Sequence, residues 1–277
     1  MTDDRRRFLQ VATIGLAGAA AVAQTGLRAQ GPARRSLTLG MASYTWRKFP
    51  VEQAIEMTRR LGLEKIAFKS MHLQLDSTPE QISAVVAKVK AAGLDLYGCG
   101  VVYMKSEGEI AQAFRYAKLA GMGMIIGVPN YELMDAAEAQ VKDSGIRLAI
   151  HNHGPDNPLF PSPESVFERV RDRDPRMGLC VDVGHTTRLG LNPAEEIKKY
   201  ASRVFDIHIK DVSAADKAGK TVEIGRGVID IPALLKALIG IDYSGVLALE
   251  FEKDENDPLP GSAESIGYLR GALAALK

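Results

Sequence analysis

From Leu37 onward, short apolar runs with β character alternate eight times with segments of helical periodicity, and this alternation confines the chain to a parallel α/β architecture. The strand-like runs are 37–43 (LTLGMAS), 64–69 (EKIAFK), 94–100 (LDLYGCG), 122–128 (MGMIIGV), 147–152 (RLAIHN), 177–183 (MGLCVDV), 203–209 (RVFDIHI) and 245–251 (GVLALEF). Apolar spacing predicts helices at Val51–Leu61, Pro79–Ala91, Glu107–Leu119 and Ala194–Ala201. Start signals accompany several helices: Thr78-Pro79 with Gln81 three residues after the cap, Ser162-Pro163, and Asn192-Pro193 with Glu195. Eight such units favour a closed barrel over an open doubly wound sheet, and no Gly-x-Gly-x-x-Gly follows the first strand. The expected fold is α/β, a single (β/α)8 TIM barrel over residues 37–277.

Four runs in the second half each end in a residue able to ligate a metal: His151, Asp182, His208 and Glu250, separated by 31, 26 and 42 residues. That spacing suits the carboxyl ends of consecutive barrel strands, where barrel enzymes place their chemistry. Two nitrogen and two carboxylate donors suit a divalent ion (Mn, Mg, Co or Zn) with room left for a substrate. Small residues lie two positions earlier, at Ala149, Cys180 and Ala248, so they share the inward face and leave space. Asp206 departs from this pattern; it either orients the His208 ring or forms a buried ion pair. Taken singly, each of the four has a structural explanation, such as Asp182 capping a helix; four in register make coincidence a poor account.

At 277 residues and 46% hydrophobic, the chain can build one large core. Thirty-five basic against 34 acidic side chains, with no basic stripe carrying aromatics, argue against a nucleic-acid partner. Two cysteines are too few for a disulfide scaffold, and Cys99 and Cys180, in predicted strands on opposite sides of the barrel, are expected to be buried thiols too far apart to bridge. Residues 1–30 read as a twin-arginine signal: Arg5-Arg6-Arg7-Phe8-Leu9 precedes a Gly/Ala-rich apolar run from Val11 to Ala23. An anchoring helix is the competing reading, but the run is shorter than the ~20 residues a span needs. Residues 31–36 are expected to be a spacer. A periplasmic protein with no stable membrane anchor after signal removal is expected; whether it forms a homo-oligomer is open. The long connections 152–162 and 211–230 would overlie the catalytic face.

The strings Asp182-Val-Gly-His185, His208-Ile-Lys210-Asp211, Gly225-Arg226-Gly227-Val-Ile-Asp230 and Leu249-Glu250 resemble those of the xylose-isomerase-like TIM barrels, the sugar phosphate isomerase/epimerase family, which also contains inosose dehydratases. The resemblance runs from Leu37 to Lys277 and implies that Asp182, His208 and Glu250 bind a divalent metal. It implies substrate contacts for His185, whose alternative is a cap or loop histidine, and for Lys210 and Asp211 either a substrate-facing pair or a local ion pair. Arg226 either reaches a substrate oxygen or is an exposed loop arginine. The family's epimerases usually carry a Glu where this chain has His151, followed by Asn152 and His153. A neutral imidazole keeps a ligand but removes one of two carboxylate bases. Glu250 remains a candidate base, with His153, His151, Lys69 or Lys210 as partner. Lys69 and His72, after the second strand, either project into the barrel mouth or, for Lys69, form an ordinary surface lysine, and the segment 43–46 (SYTW) supplies either an aromatic wall for a sugar or, through Trp46, core packing.

The implied function is a metal-dependent isomerase or epimerase that removes a proton α to a carbonyl of a neutral keto-sugar or keto-polyol through an enediolate. The alternatives are a lyase performing β-elimination on 3-keto-glycosides, a dehydratase of a keto-polyol, and a non-catalytic sugar-binding barrel.

Overall fold

The computed structural model describes residues 37–276; the expected signal (1–30) and spacer (31–36) lie outside the described residues. Eight parallel strands close in sequence order: β1 (Thr38–Ala42), β2 (Lys65–Phe68), β3 (Asp95–Met104), β4 (Met124–Pro129), β5 (Arg147–His151), β6 (Met177–Asp182), β7 (Val204–Ile209) and β8 (Val246–Leu249), with β8 pairing back onto β1. Around them lie α1 (Val51–Arg60), α2 (Pro79–Ala91), α3 (Glu107–Leu119), α4 (Met134–Ser144), α5 (Pro163–Val170), α6 (Val183–Arg188), α7 (Pro193–Lys199), α8 (Ile231–Gly240) and α9 (Leu259–Ala275). The expected TIM barrel is the fold observed. Among the described residues, no helix is long and apolar enough to cross a membrane.

Local signals fix most boundaries. Thr78 and Gln81 form a reciprocal capping box at α2, Ser162 and Ser165 form one at α5, and the Asn192 side chain accepts from the first amides of α7. That last cap starts α7 at Pro193, and the chain leaves the helix at Tyr200, so α7 ends short of the predicted Ala201. β3 runs past the predicted end at Gly100 to Met104, through a register shift against β4 between Cys99 and Val102.

Strand alternation sorts the two cores. Ile66, Phe68, Leu148, Ile150, Leu179, Val181, Ile207, Ile209, Leu247 and Leu249 belong to the large core that also includes Ile82, Phe114, Val166 and Leu234 of the helices. The alternate positions Ala67, Ala149, Cys180 and Ala248 belong to smaller clusters that also involve Tyr97. Both cysteines are free and buried, and burial pushes the Cys99 thiol up to about 12. The small residues leave room for the Tyr97 hydroxyl to donate to buried Asp206 at 3.2 Å.

The 211–230 connection is built around one carboxylate. Asp211 Oδ1 accepts from the amides of Val212 (2.9 Å) and Ile229 (3.1 Å), and Oδ2 from those of Gly225 (2.9 Å) and Gly227 (3.0 Å). Gly225 has φ of +92°, and a Cβ at Gly227 would stand 2.2 Å from Asp211 Oδ1, so both glycines are required for the chain to wrap this group. Asp211 therefore organises a loop that borders the barrel mouth; the structure does not turn it toward a substrate. Asp211→Ala strands four amide donors and is expected to cost about 3 kcal/mol or more. Urea unfolding of the variant measures this, and a loss under about 1 kcal/mol would contradict it.

Candidate active site

The quartet converges. One donor atom each from His151, Asp182, His208 and Glu250 lie within 4.8 Å of one another, and all four residues are buried. Register explains it: His151 pairs with Cys180, and Asp182 with His208, which in turn pairs with Ala248, two residues before Glu250. Thr45 holds the far edge; its hydroxyl donates to Leu249 O (3.2 Å) and accepts from Phe251 N (3.0 Å), clamping the turn that carries Glu250 to the end of β1.

Asp182 divides its oxygens between two tasks. Oδ1 caps α6 by accepting from His185 N at 2.7 Å, while Oδ2 faces His151 Nε2 at 3.4 Å and Lys210 Nζ at 2.9 Å. Asn152 steadies the same residue by accepting from Asp182 N at 3.0 Å. His208 Nδ1 lies 3.2 Å from Glu250 Oε2. Yet both ring nitrogens of His151, both of His208 and Oδ2 of Asp182 are buried without an aligned hydrogen bond. Four buried ring nitrogens without a hydrogen bond, beside two buried carboxylates, are unusual in a folded interior. A divalent cation could take one nitrogen from each ring together with the carboxylate oxygens, and two imidazoles with two carboxylates are a suitable donor set.

Electrostatics at this point are strongly coupled. Burial works against ionisation of Asp182 and Glu250, but for Asp182 the neighbouring His185 and Lys210, and for Glu250 Lys210 and His208, hold the carboxyl well below the usual carboxylate range. Burial dominates at His151 and drives its pKa well below the ordinary value, so the ring is neutral and able to ligate. At His208 burial is outweighed by Glu250, Asp206 and Asp182, which raise it. Lys210 Nζ sits 2.7 Å from Glu250 Oε2 and also contacts Glu252; these carboxylates with Asp182 outweigh burial and raise its pKa. Lys210 is thus a fixed charge among the carboxylates rather than the base it was a candidate to be. Its stem packs where Gly184 has no side chain, since a Cβ there would stand 2.6 Å from Lys210 Cγ and Cδ.

Above the quartet opens a cavity of about 290 Å³, bordered among others by Tyr44, Lys69, Tyr103, His153 and His185, at the small end of ligand pockets (~300–1,000 Å³). His153 Nε2 shares a 2.7 Å hydrogen bond with the Tyr103 hydroxyl, and burial lowers its pKa to about 4. His185 Nε2 is 4.0 Å from Asp182 Oδ2 and borders a second cavity of about 380 Å³ with Arg188, Lys220 and Thr221. Of the other residues singled out, Lys69 borders the first cavity, whereas Trp46, His72 and Arg226 do not. Trp46 is fully buried and donates to Thr58 Oγ1 at 2.9 Å. His72 is buried against Ser43 Oγ (2.9 Å) and Phe49 O (3.2 Å), a strut beneath the mouth. Arg226 pairs with Glu264 on α9, its side chain 63% exposed. Tyr103 and Glu252 were missed. Tyr103 lies beyond the predicted end of β3, where the β-prone Val101-Val102-Tyr103 run was the available signal; Glu252 is two residues from Glu250, in strand phase with it.

Residues 131–272 match the family model described as xylose isomerase-like TIM barrel. The chain is similar to the rhizopine catabolism protein MocC of Rhizobium meliloti (28% identical over 152 residues, 50% of this chain and 46% of that protein). It is likewise similar to inosose dehydratase of Clostridium botulinum strain Alaska E43 (26% over 145 residues, 46% of this chain and 48% of the relative). These alignments span about half the length of either relative. In fold it is similar to the structure of an L-ribulose 3-epimerase (TM-score 0.67, 16% identity, 86% of this chain and 95% of the other).

Added Zn2+ or Mn2+ is expected to raise the melting temperature of the wild type and to leave His151→Ala and Glu250→Ala nearly unchanged, because a ligand is lost; an undiminished rise in both variants would contradict the site. Burial, opposed by His208, pushes Asp206 up to about 6. Its folded value lies above its unfolded one, so its contribution to stability is present below the ordinary carboxylate value and is lost as pH rises through about 6. Asp206→Asn is therefore expected to stabilise the metal-free protein at pH 8, by up to about 3 kcal/mol, and to gain nothing at pH 3. Urea unfolding at both pH values measures this, and a gain independent of pH would contradict it.

Proposed function

The chain belongs to the xylose isomerase-like TIM barrel family, and on that footing we propose that it is an enzyme that enolises a neutral keto-sugar or keto-polyol, removing the proton α to its carbonyl. The observation that carries this reading is the convergence of His151, Asp182, His208 and Glu250, with buried unpartnered atoms, beneath a cavity of sugar size. These four residues would hold a divalent ion, which supplies Lewis-acid polarisation of the substrate carbonyl when bound.

Glu250 is the base. It borders the cavity and its carboxyl is held ionised, so it can accept a proton at Oε. His153, neutral and tied to Tyr103, and His185, facing both cavities, position substrate hydroxyls. At the second cavity Arg188 pairs with Asp156, Lys253 with Glu223, and Lys210 with three carboxylates, so that among its lining cations Lys220 alone lacks an ion-pair partner among the described residues; this is little positive charge for a phosphate and favours an uncharged substrate. The twin-arginine leader supports a periplasmic location, where sugar phosphates are scarce.

Isomerisation or epimerisation and β-elimination share this first step. His151 in the place of a second carboxylate favours elimination, since a symmetric pair of carboxylate bases is lacking, and the inosose dehydratase relative supports the same outcome. The second cavity, joined through His185 and Glu252, gives a leaving group somewhere to reside.

Incubating the metal-loaded protein in D2O with keto-sugars and following them by NMR tests the proposal. Deuterium should enter α to the carbonyl and an unsaturated product should accumulate; Glu250→Gln should slow both by about 100-fold or more. Binding without exchange would point instead to a sugar-binding barrel.

A further inference from the structure

Lys69 and Lys210 flank the same site in opposite electrostatic settings. Lys210 is gripped by three carboxylates. Lys69, just beyond β2, has no ion-pair partner among the described residues. Its Nζ donates to Val101 O at 2.9 Å and lies 5.5 Å from the centre of the Tyr44 ring and 6.0 Å from that of Tyr103. An ammonium has three N–H groups, so two remain for the cavity that Lys69 shares with His153, Glu250 and Glu252.

We propose that Lys69 is the general acid of the elimination, giving its Nζ proton to the departing β-oxygen while Glu250 takes the α-proton. This rests on the functional reading above. The electron pair of the breaking C–H bond becomes a C=C bond and expels the C–O pair; the leaving oxygen takes the proton from Lys69 and departs as an alcohol. Lys69 is left as an amine and Glu250 as a carboxylic acid, and solvent returns the proton from one to the other. The products are an unsaturated ketone and an alcohol, and no oxidant or reductant is needed.

The surroundings suit the role. Burial lowers the Lys69 pKa, and Glu250 and Glu252 only partly restore it, so its ammonium gives up a proton more readily than one at the surface. The other titratable groups that face it are Tyr44, Tyr103 and His153, and His153 is uncharged at neutral pH.

The test uses two probes, methyl and 4-nitrophenyl 3-keto-glucopyranoside, in which the glycosidic oxygen is β to the ketone. Methoxide needs protonation to leave; 4-nitrophenolate does not. Lys69→Met should slow release of methanol by about 100-fold or more while release of nitrophenol and α-proton exchange stay within about fivefold of wild type. Lys69→Arg should show the same split, because a guanidinium keeps the charge but holds its proton. In the full-length wild type, trace acetylation across pH, read by peptide mass spectrometry, should show Lys69 titrating below the exposed lysines. Equal slowing of both probes, or of neither, overturns the assignment, as does a Lys69 that titrates with the exposed lysines. Wild-type protein that exchanges no α-proton and releases no alcohol from either probe overturns the functional reading and the role of Lys69 with it.

Discussion

Asp182 and Glu250 are buried with donor oxygens inside the 4.8 Å radius of the quartet, where two like charges repel by about 3–4 kcal/mol at an effective dielectric of 20. Burial adds several kcal/mol per ion unless positive charge is supplied nearby. Lys210 supplies part of it, with the raised His208 doing so only in the metal-free site, and a divalent ion, whose ligation would require a neutral His208, would supply the rest. The balance explains why Lys210 reaches inward, why Gly184 must leave room for its stem, and why Asp182 keeps one oxygen for helix α6. Removing either carboxylate would leave a buried cation with too little negative charge, so the site holds together as a unit.

The sequence strings that carry the family resemblance correspond to physical contacts with one another. Gly184 of the first string makes space for Lys210 of the second, and Asp211 of the second collects the amides of Gly225 and Gly227 of the third. The second string alternates inward and loop-facing roles: His208 joins the quartet, Lys210 neutralises it, and Asp211 fixes the connection that borders its mouth. Spacing is constrained because each string supplies a part that another string needs.

The barrel and the quartet were legible because each follows from a short-range rule. Strand alternation puts Ala149, Cys180 and Ala248 in phase with His151, Asp182 and Glu250, and the caps at Thr78, Ser162 and Asn192 depend on neighbours within three residues. Long-range choices were less visible. Whether Trp46 faces a sugar or the core depends on Thr58 across α1, and Arg226 turns to Glu264 on a helix 38 residues away. Tyr103 enters the site only because β3 continues through its register shift. Lys210 is of the right residue type for a base, but the three carboxylates that hold it come from β6 and the end of β8.

The central claim is that His151 and His208 ligate one metal ion together with Asp182 and Glu250. X-ray absorption at the metal edge of the zinc- or cobalt-loaded protein tests it directly. The spectrum should show the multiple scattering of two imidazoles, falling to one in His151→Ala and in His208→Ala. A bound metal whose spectrum contains no imidazole, or is the same in both variants as in the wild type, would contradict it.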